Sequence, residues 1–324
     1  MVLRFTDILV PLLTLGLSLA ALAYTSRYVI GSVEDVIEIT GLSETSVGFA
    51  LLSVITSTPE LLVAVFAILS GTPSLSIGDL LGSNVFNIGI VVGVLMLTTG
   101  FLRECPEGLD EVADVLLLSS IIPLILVILR TPTPLVGFGL LGIFAFSVYR
   151  ETKARTLAPP ARLDVSSEES KKAPSKALSI LKILGGTIFI IISARFTVSA
   201  ALEIAAAAGI YPIFIGALVV AFGTSLPELS LSIMAVKRGR VRLATANAIG
   251  SNLTNLTLIL GIVFLSSLFS PFSVDITSFS QIISFVLITS LVVWYHMTRG
   301  GDCRIVGVVL VLTYVAFQAV SIIQ

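Results

Sequence analysis

Displaced by 168 residues, the second half of the sequence lies on the first without a gap. Arg27 meets Arg195, Gly41 meets Gly209 and Gly48 meets Gly216. Thr56-Ser57 meets Thr224-Ser225, and Pro59-Glu60 meets Pro227-Glu228. Gly82-Ser83-Asn84 then meets Gly250-Ser251-Asn252, Asn87 meets Asn255 and Gly93 meets Gly261. One register held through such uncommon pairs means that the fold has to present one unit twice. Short stacking repeats are excluded, because each copy is far longer than a solenoid unit.

What each copy contains follows from hydropathy. Of 324 residues, 56% are hydrophobic and 12% charged, and the mean hydropathy is +1.07. Soluble domains carry roughly 25% charged residues, so the chain reads as an all-α integral membrane protein. About 20 apolar residues span a bilayer. Punctuation then gives ten transmembrane helices near 7–31, 45–70, 76–100, 111–130, 133–150, 176–207, 211–236, 241–269, 276–298 and 303–323. The first runs too long for the apolar core of a secretory signal. Residues 1–150 and 176–324 each hold five spans, joined by a polar, proline-containing linker at 151–175 that lacks the apolar content to fold alone.

Five is odd, so the two copies cross the membrane in opposite senses. The basic residues agree. Fifteen of nineteen Lys and Arg fall in, or at the helix ends flanking, connections after odd-numbered helices, eight of them around the one between the fifth and sixth. Only Arg4 and Arg130 fall on the other side, while Arg27 and Arg195 lie within helices. By the positive-inside rule the linker is cytoplasmic and both termini are extracellular, in a multi-pass protein of the cell membrane. This is the inverted-repeat plan of secondary transporters, whose sites lie at the midplane where broken helices of the two halves meet. No basic cluster suits nucleic acid. Cys105 and Cys303 have no metal-ligand or redox spacing.

The broken helices are legible too. Residues 54–60, VITSTPE, and 222–228, FGTSLPE, each place hydroxyls, a proline and a glutamate inside an apolar run. A carboxylate at the bilayer centre costs roughly 2.5–3.5 kcal/mol on insertion scales, so Glu60 and Glu228 need partners that offset it. Each proline removes an N–H and displaces the carbonyl four residues back, that of Ile55 or Gly223. Carbonyls freed in this way can face a bound cation. Thr56 and Glu60 share a helix face with Ser57 beside them, as do Thr224 and Glu228 with Ser225. In the following helices Ser83 and Asn87 stand four residues apart, as do Ser251 and Asn255.

Taken singly, these serines and asparagines could bond a carbonyl or join helices. Their symmetric placement, 23 and 27 residues after each Thr-Ser-x-Pro-Glu, points to a site. All the donors are hard oxygens, whereas zinc and copper centres favour nitrogen or sulfur. Two ionised glutamates match one Ca²⁺ or two Na⁺ in charge, and both ions take oxygen ligands. Arg27 and Arg195 are explained by snorkelling to the interface, and Glu203 by solvation. Asp79, whose repeat mate is Asn247, stays between a helix-end position and a place on an ion path. Ser76-Ile77-Gly78-Asp79 distantly resembles the signature of intramembrane aspartyl proteases, but no second membrane aspartate completes a dyad. A passive channel is the other competitor to a transporter.

With these residues in hand, the sequence resembles the α-repeats of the sodium/calcium exchanger family, within the calcium/cation antiporters. Gly223-Thr224-Ser225-Leu226-Pro227-Glu228 with Gly250-Ser251-Asn252-Leu253-Thr254-Asn255 is similar to the family pattern. The first copy, Ile55-Thr56-Ser57-Thr58-Pro59-Glu60 with Gly82-Ser83-Asn84-Val85-Phe86-Asn87, departs at Ile55 and Thr58. The resemblance implies ion ligands from Glu60, Glu228, Thr56, Ser57, Thr224, Ser225, Ser83, Asn87, Ser251 and Asn255, with the carbonyls of Ser53 and Ala221. It implies Na⁺/Ca²⁺ antiport, with the first and sixth helices sliding as a gating pair. Ca²⁺ and Na⁺ are substrates; no cofactor, enzymatic step or protein partner is implied, and a monomer suffices. Asparagine at both 87 and 255 weakens potassium coupling. The proton/calcium branch, which usually lacks Thr-Ser-x-Pro, is the alternative.

Overall fold

The computed structural model describes residues 5–40, 54–99, 109–129, 132–157, 176–237 and 241–322. Among these residues there is no strand. The first helix, α1, is Phe5–Thr40, and α2 is Thr58–Leu69, preceded by a helical turn at 54–56. Pro73–Phe86 opens α3, which continues through a π-turn at Asn87–Val92 into Gly93–Thr99. Next come α4 (Leu109–Ile121, prolonged to Leu129), α5 (Pro134–Leu157) and α6 (Lys176–Ala208). Segments Pro212–Ile215, Gly216–Val220, Ala221–Thr224 and Leu226–Lys237 make α7. Val241–Thr254, a π-turn at Asn255–Ile259 and Leu260–Leu265 make α8; α9 is Ile276–Arg299 and α10 is Cys303–Ile322.

Seven of the described helices are long and apolar enough to cross a membrane, and Thr58–Leu69, Ala113–Ile128 and Pro134–Arg150 are shorter apolar helices. Proline sets several starts. Pro59, Pro73 and Pro212 occupy the first turns of their helices, where the missing N–H has no intrahelical role. Two boundaries differ from the hydropathy reading. Helix α5 runs on to Leu157, through residues 151–157 of the linker range. The segment Glu-Thr-Lys-Ala-Arg-Thr-Leu is polar but contains good helix formers, so the helix outlasts its apolar stretch. Likewise α1 extends to Thr40 through a polar end.

The contacts repeat across the two halves. Helices α1 and α6 lie against each other, α2 packs on α6 and α7 packs on α1. Helix α4 packs on α9, the end of α3 on α10, and the end of α8 on α5. Close crossings use glycine. Gly78 and Gly82, one turn apart in a G-x-x-x-G spacing, lie against the backbone of Ile213 and Ala217, and Gly216 lies against Leu75. A Cβ at any of these three would collide with a carbonyl, so α3 and α7 touch backbone to backbone. Gly93 meets Gly307 and Gly261 meets Gly137, an equivalent pair on the two sides.

Two apolar clusters result. The larger joins α3, α4, α8, α9 and α10 through residues such as Leu80, Phe86, Leu256, Phe264 and Phe279. The smaller joins α1, α2 and α6 through Leu15, Leu22, Val63, Ala194 and Ala201. On α1 and α6 the outer faces remain apolar and exposed, as at Leu17, Tyr24, Phe189 and Phe196. Their inner faces carry Ser18 and Thr197, whose hydroxyls are 2.9 Å apart. A helix apolar outside and polar within is adapted to lipid rather than water.

Gly82→Leu is expected to cost at least about 1–3 kcal/mol by overpacking the α3–α7 crossing. Gly139→Ala, where a Cβ meets nothing within 4 Å, should be neutral or gain up to ~1 kcal/mol in helix propensity. Unfolding in mixed detergent micelles checks the contrast.

Candidate ion-binding site

Both Thr-Ser motifs interrupt their helices in the same way. Ser57 has φ −81° and ψ 12°, and Ser225 has φ −85° and ψ 2°, each off the helical ψ. Helix resumes at once: the Leu61 N–H donates to the Ser57 carbonyl at 3.0 Å, and Leu229 to Ser225 at 3.2 Å. Glu60 and Glu228 consequently sit in the first turn of a new helix. Free N–H groups and the helix dipole favour a negative charge there. The helices facing them are also interrupted. The π-turns of α3 and α8 begin at Asn87 and Asn255, repeat mates, so each asparagine lies where the helix widens.

The two halves interlock through hydroxyls. Thr56 Oγ1 lies 2.9 Å from Ser251 Oγ, joining the first motif to α8. Reciprocally, Ser83 Oγ lies 3.3 Å from Thr224 Oγ1, joining the second motif to α3. Each motif thus completes its site with the serine of the other copy. The Thr224 hydroxyl also faces the Glu60 carboxylate, and the Thr56 hydroxyl faces that of Glu228. Asn87 Nδ2 donates to Asn252 Oδ1 at 3.1 Å, and Asn252 Nδ2 to the Asn84 carbonyl at 3.0 Å.

Glu60, Glu228, Thr56, Ser57, Thr224, Ser225, Ser83, Asn87, Ser251 and Asn255 are all fully buried. Neither carboxylate oxygen of Glu60 or Glu228 accepts a protein hydrogen bond, and the Ser57 and Ser225 hydroxyls and Asn255 amide are likewise unsatisfied by protein. Buried polar atoms are rarely left so. Here they share one region with a uniform oxygen chemistry. The Ala221 carbonyl accepts the Ser225 N–H at 3.1 Å and has the Thr224 hydroxyl at 3.3 Å. Ser53 lies outside the described residues, as does Cys105.

Asp79 is the residue that sequence reasoning underrated. It stands on α3 one turn before Ser83, fully buried, with Oδ1 accepting the Thr224 hydroxyl at 2.9 Å. Its carboxylate lies within Coulombic reach of both glutamates. The available signal was the i, i+4 spacing from Asp79 to Ser83. Asn84 and Asn252 were visible only as repeat mates, and their role as a cross-half clamp depends on the meeting of α3 and α8. Arg27, Arg195 and Glu203 are exposed, but Arg27 and Arg195 lie well inside α1 and α6, because both helices run beyond their apolar spans. Cys303 Sγ lies 3.5 Å from His296 Nε2, away from the motifs, and among the described residues no His/Cys/Asp/Glu cluster has a metal-centre geometry.

A helical membrane protein of two interlocked copies, with paired carboxylates buried at interrupted helices, has the form of a secondary transporter. The profile of the sodium/calcium exchanger protein family matches residues 10–153 and 178–323. The chain belongs to that family, whose members are antiporters rather than enzymes. It is 29% identical to the sodium/calcium exchanger MaX1 of Methanosarcina acetivorans, over 97% of this chain and 99% of the relative. Its fold matches the sodium-calcium exchanger NCX_Mj, solved after soaking with Na⁺ and Sr²⁺, with TM-score 0.63 and 27% identity over 96% of this chain and 98% of the other. The H⁺/Ca²⁺ exchanger CAX shares the fold with TM-score 0.77 at 19% identity, over 97% of this chain and 86% of the other.

The Thr56–Ser251 and Thr224–Ser83 pairs should each show a coupling of about 0.5–1.5 kcal/mol in double-mutant cycles with Thr→Val and Ser→Ala, the range for a buried hydrogen bond. Thr56→Val with Ser83→Ala, which breaks one member of each pair, should be closer to additive. Mixed-micelle unfolding measures both.

Proposed function

We infer that the protein is a Na⁺/Ca²⁺ antiporter working by alternating access, with Glu60 and Glu228 at a midplane site. Carrying this reading are two buried, unsatisfied carboxylates flanked by cross-paired Thr–Ser hydroxyls, one set from each half. Thr56, Ser57, Ser83, Asn87, Thr224, Ser225, Ser251 and Asn255 complete the oxygen set, with the carbonyls of Ser53 and Ala221. Two negative charges hold either one Ca²⁺ or two or more Na⁺, and competition for the same oxygens couples the fluxes. When more than two Na⁺ exchange for one Ca²⁺, net charge moves and the flux responds to voltage.

Alternating access needs a part that moves across a part that does not. The α1–α6 pair is suited to the first role, since it packs on the site helices through a separate apolar cluster. The glycine-tight contacts of α3 with α7 and α10, and of α8 with α5, suit the second. The proposed arrangement has ten crossings, a cytoplasmic linker at 151–175, both termini outside and a working monomer. The H⁺/Ca²⁺ alternative draws on the fold shared with CAX.

Protein reconstituted in liposomes should take up ⁴⁵Ca²⁺ when Na⁺ is loaded inside and absent outside. Uptake driven as well by a pH gradient without Na⁺ would sink the Na⁺-coupled reading in favour of the alternative. Glu60→Gln and Glu228→Gln should each lower uptake on the order of a hundredfold or more, as when one of two buried partner charges is removed. For the topology, Ser166→Cys in a chain with Cys105 replaced should react with an impermeant maleimide only after the cells are permeabilised. Labelling of intact cells would reverse the orientation.

A further inference from the structure

The two half-sites are not chemically equal, and the inequality sits one helical turn outside the paired motifs. Asp79 and Asn247 are repeat mates, each on a helix of the site and each four residues before a site serine, Ser83 or Ser251. Both side chains are buried. Asp79 Oδ1 holds the Thr224 hydroxyl at 2.9 Å, while Oδ2 has no protein partner; Asn247 has no protein partner at either atom. A threonine hydroxyl has one proton. Given to the Asp79 carboxylate, which it reaches at 2.9 Å, it leaves Thr224 Oγ1 to accept from Ser83 and to present a lone pair. Ser76 Oγ, one turn further along α3, is also buried and unpartnered.

Asp79 does not merely enlarge the glutamate pair. Among the described residues no three carboxylates converge closely enough to hold one ion between them. Asp79, Thr224 and Ser83 instead form a chain of hard donors on the α3–α7 side, linked at 2.9 and 3.3 Å, which adds one negative charge and one unpartnered oxygen, Asp79 Oδ2, to the edge of the glutamate site. One charge with a few neutral oxygens fits a monovalent cation better than Ca²⁺, which takes six to eight oxygens and usually several carboxylates. On the α8 side the same place carries a neutral amide.

We propose that Asp79, with Ser83 and Thr224, forms an additional Na⁺ position that has no counterpart at Asn247. The proposal rests on the Na⁺-coupled reading above and extends it: the site holds three negative charges, and an extra Na⁺ binds beside the pair of glutamates.

Asp79→Asn tests this with little change of shape, because the amide oxygen can still accept the Thr224 hydroxyl. A purely structural Asp79 would therefore tolerate it. In equilibrium ²²Na⁺ binding to the purified full chain in detergent, with N-methylglucamine as the balancing cation, the variant should bind about one Na⁺ fewer. Its half-saturating Na⁺ should rise about tenfold, the loss expected for one charge-assisted ligand. In Na⁺-free buffer its ⁴⁵Ca²⁺ affinity should fall by less. Na⁺ stoichiometry and half-saturation within about twofold of wild type would overturn the proposal, as would wild-type protein with no saturable Na⁺ binding. If Asp79→Asn does not yield monodisperse protein, Asp79→Ser reads the same loss. Saturable Na⁺ binding without Na⁺-driven ⁴⁵Ca²⁺ uptake would fail the antiport reading alone and leave Asp79 to the binding comparison.

Discussion

Buried charge without a buried counter-charge organises this molecule. Glu60, Glu228 and Asp79 are removed from water, and no Lys or Arg is buried among the described residues to answer them. A carboxylate in a low-dielectric interior is tolerated only where dipoles or cations stabilise it. The chain supplies dipoles: interrupted helices whose new first turns receive Glu60 and Glu228, and hydroxyls from the opposite half. On the proposed reading, the charge that these dipoles leave uncompensated is what attracts a cation.

The reciprocity of the two halves follows from the same need. Neither Thr-Ser motif has its serine partner within its own half; Thr56 finds Ser251 and Thr224 finds Ser83. The site therefore exists only when the copies are docked. Docking requires α3 and α7 to approach at backbone distance, which Gly78, Gly82 and Gly216 allow. Where backbones touch, little can slide. Helix α1 also meets a glycine of a site helix, Gly223 of α7, but through the side chain of Leu19 rather than through backbone. The α1–α6 pair is joined by the Ser18–Thr197 contact and turns an apolar surface outward.

Much of this was legible in the linear chain because a membrane restricts the choices. Apolar length predicts where the helices lie, and a shared register picks out Glu60, Glu228 and their companions together, all of which are buried. Two features differ from the linear reading. Helix α5 passes its apolar limit because Glu151–Leu157 is helix-forming without being apolar. Asp79 was underrated because distance from the membrane surface is read along the chain, while burial is decided by the helix lying across it. The α7 backbone covers Asp79 at Gly216, and Thr224 binds it.

By itself, then, the sequence determined that the chain is helical, membrane-embedded and duplicated, and which oxygen-bearing residues recur in both copies. Those are consequences of local hydropathy and of one constant offset. Only the tertiary structure decided which oxygens meet, since hydrogen bonds between residues 195 or 141 positions apart depend on how helices cross. It also decided that the two half-sites are unequal, because a carboxylate at Asp79 and an amide at Asn247 differ in consequence only once both are buried beside the same site.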